Sequence, residues 1–231
     1  MVRGPGVRRF GFHGISHQYV ATRAAELLGR HLDELHLVTV HLGNGCSACA
    51  VRDGESVDTT MGLTPLEGLV MGTRSGDIDP GALSYIGHRV GLDLDGVVAE
   101  LTNSSGLLGV SGISQDMRTL VTAAEGGSAS AALAVDVFCY RAAKSICAMA
   151  TALDRVDAVV LTGGIGEHSA VVRSKIMSHL TVMGVAEDTP ANSHHGVDFQ
   201  GRVSSVASTT VLVIPTDEEL LIARDASALM H

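Results

Sequence analysis

The stretch LHLVTVHLGNGCS, residues 35–47, joins an apolar run to a turn rich in glycine. The run from His36 to Leu42 predicts a buried β-strand. The segment His41, Leu42, Gly43, Asn44 and Gly45 suits a tight turn. It equally suits a phosphate-binding loop, because glycines let a backbone approach a phosphate closely. Taken alone, this stretch leaves both alternatives open.

A second predicted strand with a glycine-rich end covers residues 156–161 and leads into TGGIGEHS, residues 162–169. In open α/β sheets, ligands bind beyond the carboxyl ends of the strands, and helix N-termini favour anions. Neither turn matches G-x-x-x-x-G-K-[ST] or G-x-G-x-x-G. A single glycine-rich turn is most often only a turn. Two such turns after apolar strands in one chain favour a nucleotide site.

Strands and helices alternate along the rest of the chain. Asp53-Gly54 is a strong signal for a hairpin turn, and the glycine-rich residues 61–80 predict a long loop of the kind that is usually functional. Helical patterns cover residues 15–30, 81–90, 93–103, 114–124, 128–153, 169–183 and 217–229, and a further strand is predicted at 209–216. The helix at 128–153 is apolar nearly all round, which predicts burial. This order predicts an α/β domain with a mixed sheet.

Composition narrows the class of partner. Of the 231 residues, 45% are hydrophobic and only 3% aromatic, and the formal charge is −9 without a block of Lys or Arg. This argues against nucleic acid and anionic membranes as partners. No run approaches the roughly 20 apolar residues of a membrane span, and residues 1–12 lack the apolar core of a signal peptide. The expected location is cytoplasmic.

The four cysteines are predicted to be packing residues. Cys46 and Cys49 form one C-x-x-C, whereas Cys139 and Cys147 lie far downstream. A zinc site would usually show a second close pair. In a strand, side chains at i and i+3 point to opposite faces, so Cys46 and Cys49 are not expected to share a ligand.

Several polar residues are candidates for chemistry. Arg74 in the loop could present its planar fork to a phosphate or carboxylate; the alternative is a solvated surface arginine, although the nearby Asp77 and Asp79 favour a structured site. His13 and His17 are spaced i, i+4, but the glutamate of H-E-x-x-H is missing.

His13 is predicted to lie in the turn before a helix, as a hydrogen-bond donor near a ligand, and His17 to be structural. Asp116 and Arg118 begin a helix, where Asp116 could act as a helix N-terminal charge and nothing more.

The motifs together resemble the acetate kinase family. They are RRFGFHGISHQYVATRAAELL, HLGNGCSACAVRDGESVDTTMGLTPLEGLVMGTRSGDIDPGAL, SGLLGVSGISQDMR, TGGIGEHS and IPTDEELLIARDA. The resemblance covers nearly the whole chain, and residues 61–80 are its most specific part; propionate kinase is close as well. It implies an actin/Hsc70/sugar-kinase-like (ribonuclease H-like) α/β fold, a mixed sheet flanked by helices. Such proteins have two related domains with ATP in the cleft between them.

The resemblance also implies roles for individual residues. His13 and Arg74 would steady the transferring phosphoryl group, residues 41–45 would contact the phosphates, and Glu218 would help to hold Mg²⁺. The nucleotide, chiefly its adenosine end, would be contacted by Asp116, Met117, Arg118, Gly164, Ile165, Gly166, Glu167 and His168. His168 and Asp217 both stand where asparagine is common.

The implied reaction is reversible, Mg²⁺-dependent phosphoryl transfer from ATP to acetate, giving acetyl phosphate and ADP. Residues 1–231 match only the C-terminal, nucleotide-binding domain, so we expect the closing helix at 217–231 to pack on a missing N-terminal domain. Turnover by this chain alone is expected to be weak or absent. The expected partners are acetate or acetyl phosphate, a second copy in a homodimer, and a separately encoded N-terminal half. The alternatives are propionate kinase and a non-catalytic, dimerising nucleotide-binding remnant.

Overall fold

A computed structural model describes residues 8–229. Residues 1–7, over half of the stretch searched for a signal peptide, lie outside the described part, as do residues 230–231 of the predicted closing segment. The predicted mixed sheet is confirmed: five strands lie in the order β3-β2-β1-β4-β5. They are β1 (His36–Leu42), β2 (Cys46–Arg52), β3 (Glu55–Thr59), β4 (Ala158–Thr162) and β5 (Thr210–Val213).

Ten α-helices surround this sheet within the described range. They are α1 (Gly14–Leu28), α2 (Pro80–Val90), α3 (Leu94–Asn103), α4 (Gly106–Ser111), α5 (Met117–Glu125), α6 (Ala129–Ala150), α7 (Gly163–His168), α8 (Ala170–His179), α9 (Thr189–Ser193) and α10 (Glu218–Ala228). Among residues 8–229, no helix combines the length and apolar character needed to cross a membrane.

Both faces of the sheet are buried. Val38, Val40 and Leu42 of β1 pack in the larger core cluster with α6, whereas Leu37 packs in a smaller cluster with α1. This alternation follows the two-residue period of a strand. It also separates Cys46, in the larger cluster, from the other cysteine of its pair in the smaller one, and all four cysteines are free. The prediction of packing cysteines is confirmed.

Strand direction decides where a site can form. Strand β1 pairs antiparallel with β2 but parallel with β4, which pairs parallel with β5. The carboxyl ends of β1, β4 and β5 therefore lie at one edge of the sheet, where ligands bind in this class of fold. The two glycine-rich segments predicted from the sequence meet there.

The structure departs from the sequence predictions in several places. The segment GGIGEH is not a loop but the short helix α7, because Gly163 adopts a φ of 77° and turns the chain from strand to helix at once. Helix α4 was not predicted, since six residues carry too little periodicity. Helix α6 is buried on one side only: Leu133 and Tyr140 are 55% and 54% exposed.

The long loop predicted at residues 61–80 occupies residues 60–79 in the structure and is held by its own polar groups. The Asp77 carboxylate accepts hydrogen bonds from Gly68 N (2.7 Å) and Arg141 Nη2 (3.0 Å). The Asp79 carboxylate caps helix α2 by accepting from Gly81 N (2.9 Å). Both carboxylates thus serve the structure of the loop.

Candidate active site

The end of β1 brings two cationic or protonatable side chains to one glycine. A Cβ atom at Gly45 would lie 3.3 Å from His13 Nε2 and 3.4 Å from Arg74 Nη1. His13 comes from the start of α1 and Arg74 from the long loop, so three remote segments converge here. A side chain at residue 45 would crowd both groups, so glycine lets the backbone lie directly against His13 and Arg74.

His13 is held in a defined orientation. It is the N-cap of α1 with a φ of 58°, and its ring stacks on that of His41 at a centroid distance of 4.2 Å. A hydrogen bond joins His13 Nδ1 to Ser47 Oγ (2.9 Å), which also bonds His17 Nε2 (2.8 Å). The second nitrogen of His17 bonds Thr39 Oγ1 (2.8 Å). His17 is thus the buried support of His13, in agreement with its predicted structural role.

The three histidines are neutral near pH 7. Burial, with a smaller contribution from His41, lowers the pKa of His13 to about 4, although Glu218 acts in the opposite direction. Burial lowers the pKa of His17 to about 3 and also depresses that of His41. A neutral His13 can form hydrogen bonds through Nε2 but carries no fixed positive charge.

Arg74 is the positively charged side chain next to Gly45. Its Nη1 donates only weakly to Pro65 O (3.4 Å) and Met71 Sδ (3.6 Å), and within residues 8–229 it forms no ion pair. The turn that carries it is fixed at both ends: Gly72 N donates to Asn44 O (3.0 Å), and Ser105 N to Thr73 O (2.9 Å). The structure therefore presents an uncompensated guanidinium from a braced turn.

A cavity of about 690 Å³ opens beside these groups. This volume suits a nucleotide-sized ligand. The wall is formed by Gly43, Asn44, Gln115, Asp116, Met117, Arg118, Val121, Thr122, Gly164, Ile165, His168, Ser169, Ala170, Val171 and His195. The N-terminal ends of α5 and α7 border it, as does that of α8. Eight of the residues suggested by the family resemblance line this cavity.

The remaining suggested residues lie elsewhere. His13, Arg74, Gly45 and His41 form the neighbouring cluster at the end of β1, and Leu42 has a fully buried side chain, which leaves only its backbone to a ligand. Gly166 and Glu167 do not line the cavity.

Glu167 caps α7 instead. Its carboxylate accepts from Gly163 N (3.0 Å) and Thr216 N (3.2 Å). Asp116 similarly caps α5 by accepting from Arg118 N (2.8 Å), and its bonds with Arg118 lower its pKa to about 2. Asp116 therefore has the helix-capping role that the sequence left open, at a position that also lines the cavity.

Glu218 begins α10 and lies near enough to His13 to affect its pKa. No three His, Cys, Asp or Glu side chains between residues 8 and 229 gather as a metal site. Mg²⁺ in kinases is commonly held by one or two carboxylates together with phosphate oxygens and water. A single carboxylate near His13 fits that arrangement and does not fit an all-protein cage.

Sequence reasoning did not single out several residues of the site. Ser47 joins His13 to His17, and Ser16 Oγ bonds both His41 Nδ1 (2.9 Å) and Thr216 Oγ1 (3.0 Å). Short hydroxyl side chains carry no spacing signal of their own. The i, i+4 pair of histidines was the only visible hint, because it places two rings on one side of α1.

The buried histidines make stability depend on pH. For each, the unfolded chain takes up a proton near pH 6.5 and the folded chain only at a lower pH, so stability is complete above pH 6.5 and is lost as the pH falls. We expect the free energy of unfolding to decrease between pH 7 and 4.5, by up to about 1.4 kcal/mol per pH unit for each such histidine. Urea unfolding at several pH values measures this slope.

The variant His17→Asn should flatten the slope, whereas His31→Asn, at an exposed position, should leave it unchanged. An equal slope in wild type and His17→Asn would contradict the assignment of His17 as buried and neutral.

The mixed sheet, its flanking helices and the site at the carboxyl ends of β1 and β4 define an α/β domain of the actin and sugar-kinase class. The chain belongs to the acetokinase family, whose pattern matches residues 2–224. The family resemblance drawn from the sequence motifs is thereby confirmed.

Named relatives agree with this assignment. The chain is 51% identical to the acetate kinase of Ectopseudomonas mendocina over 230 residues, 100% of this chain and 58% of that protein. It is 53% identical to the acetate kinase of Deinococcus radiodurans over 225 residues, 97% of this chain and 56% of that protein. The chain thus spans somewhat over half the length of the curated relatives that it matches.

Solved structures agree as well. The fold superposes on Porphyromonas gingivalis acetate kinase with a TM-score of 0.91 and 40% identity, covering 100% of this chain and 60% of that one. A propionate kinase from Francisella tularensis gives a TM-score of 0.89 and 42% identity, covering 95% and 55%.

Proposed function

We propose that residues 1–231 form the nucleotide-binding domain of an acetate kinase, which transfers a phosphoryl group between ATP and acetate with Mg²⁺, giving ADP and acetyl phosphate. The observation that carries the proposal is the convergence of His13 Nε2 and Arg74 Nη1 on Gly45, beside a cavity of nucleotide size. In the proposal the cavity holds the nucleoside, and the cluster at the end of β1 holds the phosphates.

The proposed roles follow from the chemistry of phosphoryl transfer. The transferring group carries negative charge spread over three oxygens, so the protein contributes alignment and charge neutralisation. Arg74 offsets this charge, and His13 donates a hydrogen bond without needing to titrate. Backbone N–H groups of residues 43–45 are suited to the neighbouring phosphates. Acetate is already an anion at neutral pH, so no strong base is required to activate it.

The proposal assigns one residue of this chain, Glu218, to Mg²⁺. Glu218 would help to hold Mg²⁺, which would supply further charge neutralisation to the phosphates. The residue stands in the first turn of α10, whose N-terminus is capped by Asp217 through Leu220 N (2.9 Å). The capping bond orients the helix that carries the carboxylate.

The proposal extends to the remaining partners. Helix α10 packs on α1 but has no buried residue, and Leu220 and Ile222 are 37% and 52% exposed. We propose that the N-terminal domain of the complete enzyme covers this face, either in the same polypeptide or as a separately encoded half. We further propose a homodimer in the cytoplasm.

Coupled-enzyme assays test the proposal directly. The chain is assayed alone and after co-expression with the N-terminal domain of the Ectopseudomonas mendocina acetate kinase. We expect turnover that is weak or absent alone and restored by the added domain, with acetate and propionate compared as acceptors. No turnover with either acceptor in the complemented sample, despite a formed complex, would refute the proposal.

A second candidate is a nucleotide-binding module without turnover. It is favoured by the nucleotide-sized cavity that residues of this chain line without the N-terminal domain. Calorimetry with ADP separates the cases: binding at millimolar concentration or tighter without turnover in the complemented sample supports the module. No ADP binding at millimolar concentration rules it out.

A further inference from the structure

A buried arginine connects two walls of the cavity. Arg173 is 0% exposed, and its Nη1 donates to the carbonyl oxygens of Gly166 and Glu167, both at 2.9 Å, near the end of α7. Its Nε and Nη2 donate to Asn192 Oδ1 and Asn192 O, both at 2.7 Å. The helix that borders the cavity is thereby fixed against the segment that contains His195.

The same arginine fixes the protonation of His195. Arg173 Nη2 lies 2.9 Å from His195 Nδ1. A guanidinium group has only donors, so Nδ1 must accept this hydrogen bond. A neutral His195 therefore carries its proton on Nε2. Partial burial and the adjacent guanidinium lower the pKa of His195, with smaller contributions from His168 and His194, so the neutral form prevails at pH 7.

His195 is half-buried and lines the cavity. With Nδ1 bonded to Arg173, the polar atom left for a ligand is Nε2–H. The surrounding wall includes the apolar side chains of Ile165, Met117 and Val121, which suit the faces of a planar base. The cavity therefore combines an apolar wall with one fixed hydrogen-bond donor. This combination matches a purine, whose ring nitrogens are hydrogen-bond acceptors.

We propose that His195 is a base-recognising residue, which donates a hydrogen bond from Nε2–H to a ring nitrogen of a purine nucleoside diphosphate. Arg173 is the positioning residue that imposes this tautomer. The inference rests on the proposed nucleotide site and adds to it the group that reads the base.

Calorimetry on the full chain tests the hydrogen bond, with ADP and inorganic pyrophosphate as probes. In His195→Asn, the amide oxygen can still accept from Arg173, but no donor occupies the position of Nε2. We expect ADP to bind about fivefold more weakly to this variant, with pyrophosphate binding unchanged within about twofold. In His195→Gln, an amide donor returns near the Nε2 position, and ADP affinity should recover. The neighbouring His194→Asn is the matched control, since His194 bonds Pro190 O and does not line the cavity.

Ligand analogues identify the atom that is read. ADP analogues in which one ring nitrogen is replaced by CH should bind the wild type about fivefold more weakly at one position only, and His195→Asn should add nothing to that loss. Three results would each overturn the inference. His195→Asn could lose equal affinity for ADP and pyrophosphate, or its ADP affinity could be unchanged. Alternatively, its loss of affinity could add fully to the loss caused by every analogue.

A measurement without ligand separates this inference from the proposed function. In ¹⁵N NMR of the free chain, the signals missing from His195→Asn identify the ring, and we expect an unprotonated Nδ1 and a protonated Nε2. A protonated Nδ1 would overturn the inference even if ADP binds. Absence of ADP binding by the wild type would refute the proposed site, and this role with it.

Discussion

Replacing Arg74 by alanine should lower phosphoryl transfer in the complemented enzyme by about 10³-fold, the lower end of the effect of removing an arginine from a transferring phosphoryl group. The physical reason is that, within residues 8–229, no other positively charged side chain faces Gly45 in place of Arg74. Among the described residues, Arg74 has no ion-pair partner, and the other group that faces Gly45, His13, is neutral. The coupled assay gives the rate, and calorimetry gives ADP affinity.

The pattern of change distinguishes catalysis from folding. Arg74→Lys should recover only part of the rate, because an ammonium is a compact charge without the planar fork of a guanidinium. ADP affinity should change little in either variant, since Arg74 does not line the nucleoside cavity and, in the proposal, it faces the transferring phosphoryl group, which ADP lacks. Arg89→Ala, in the last turn of α2, is the control and should keep the wild-type rate. A rate for Arg74→Ala within tenfold of wild type would contradict its proposed role.

Replacing Arg173 by methionine should reduce the free energy of unfolding by about 3–5 kcal/mol. Methionine fills much of the same volume, but it leaves the buried acceptors of Gly166 and Asn192, and the partly buried ones of Glu167 and His195, without donors. Each unsatisfied buried acceptor costs about 1–3 kcal/mol, partly offset because a charged group no longer has to be desolvated. Urea unfolding monitored by circular dichroism gives the change.

The matched control is Arg23→Met on the exposed side of α1, where the arginine forms an ion pair with Glu26. An exposed pair contributes little, so the control should differ from wild type by less than about 1 kcal/mol. Equal losses in the two variants would show that the buried hydrogen bonds of Arg173 add nothing to stability.

The sequence by itself predicted the parts of this domain that depend on local pattern. The apolar run that ends at Leu42 formed a strand with the predicted bounds, because its residues suit a strand buried on both faces. The hairpin at Asp53-Gly54 formed because both residues adopt a positive φ, 54° and 82°, as its turn requires. The glycine-rich ends of β1 and β4 were also predicted, because glycines that directly follow an apolar run are a local signal in the sequence.

Only the tertiary structure decided how distant residues meet. Helix α7 forms within a glycine-rich segment of low helix propensity because the turn at Gly163 starts it and the carboxylate of Glu167 caps it. His13 and Arg74 face each other across Gly45, although they are 61 positions apart in the chain. Arg173 and His195 are paired by the packing of α8 against the segment after α9. Local patterns fix single elements, whereas a site depends on side chains that only the packed chain brings within hydrogen-bonding distance.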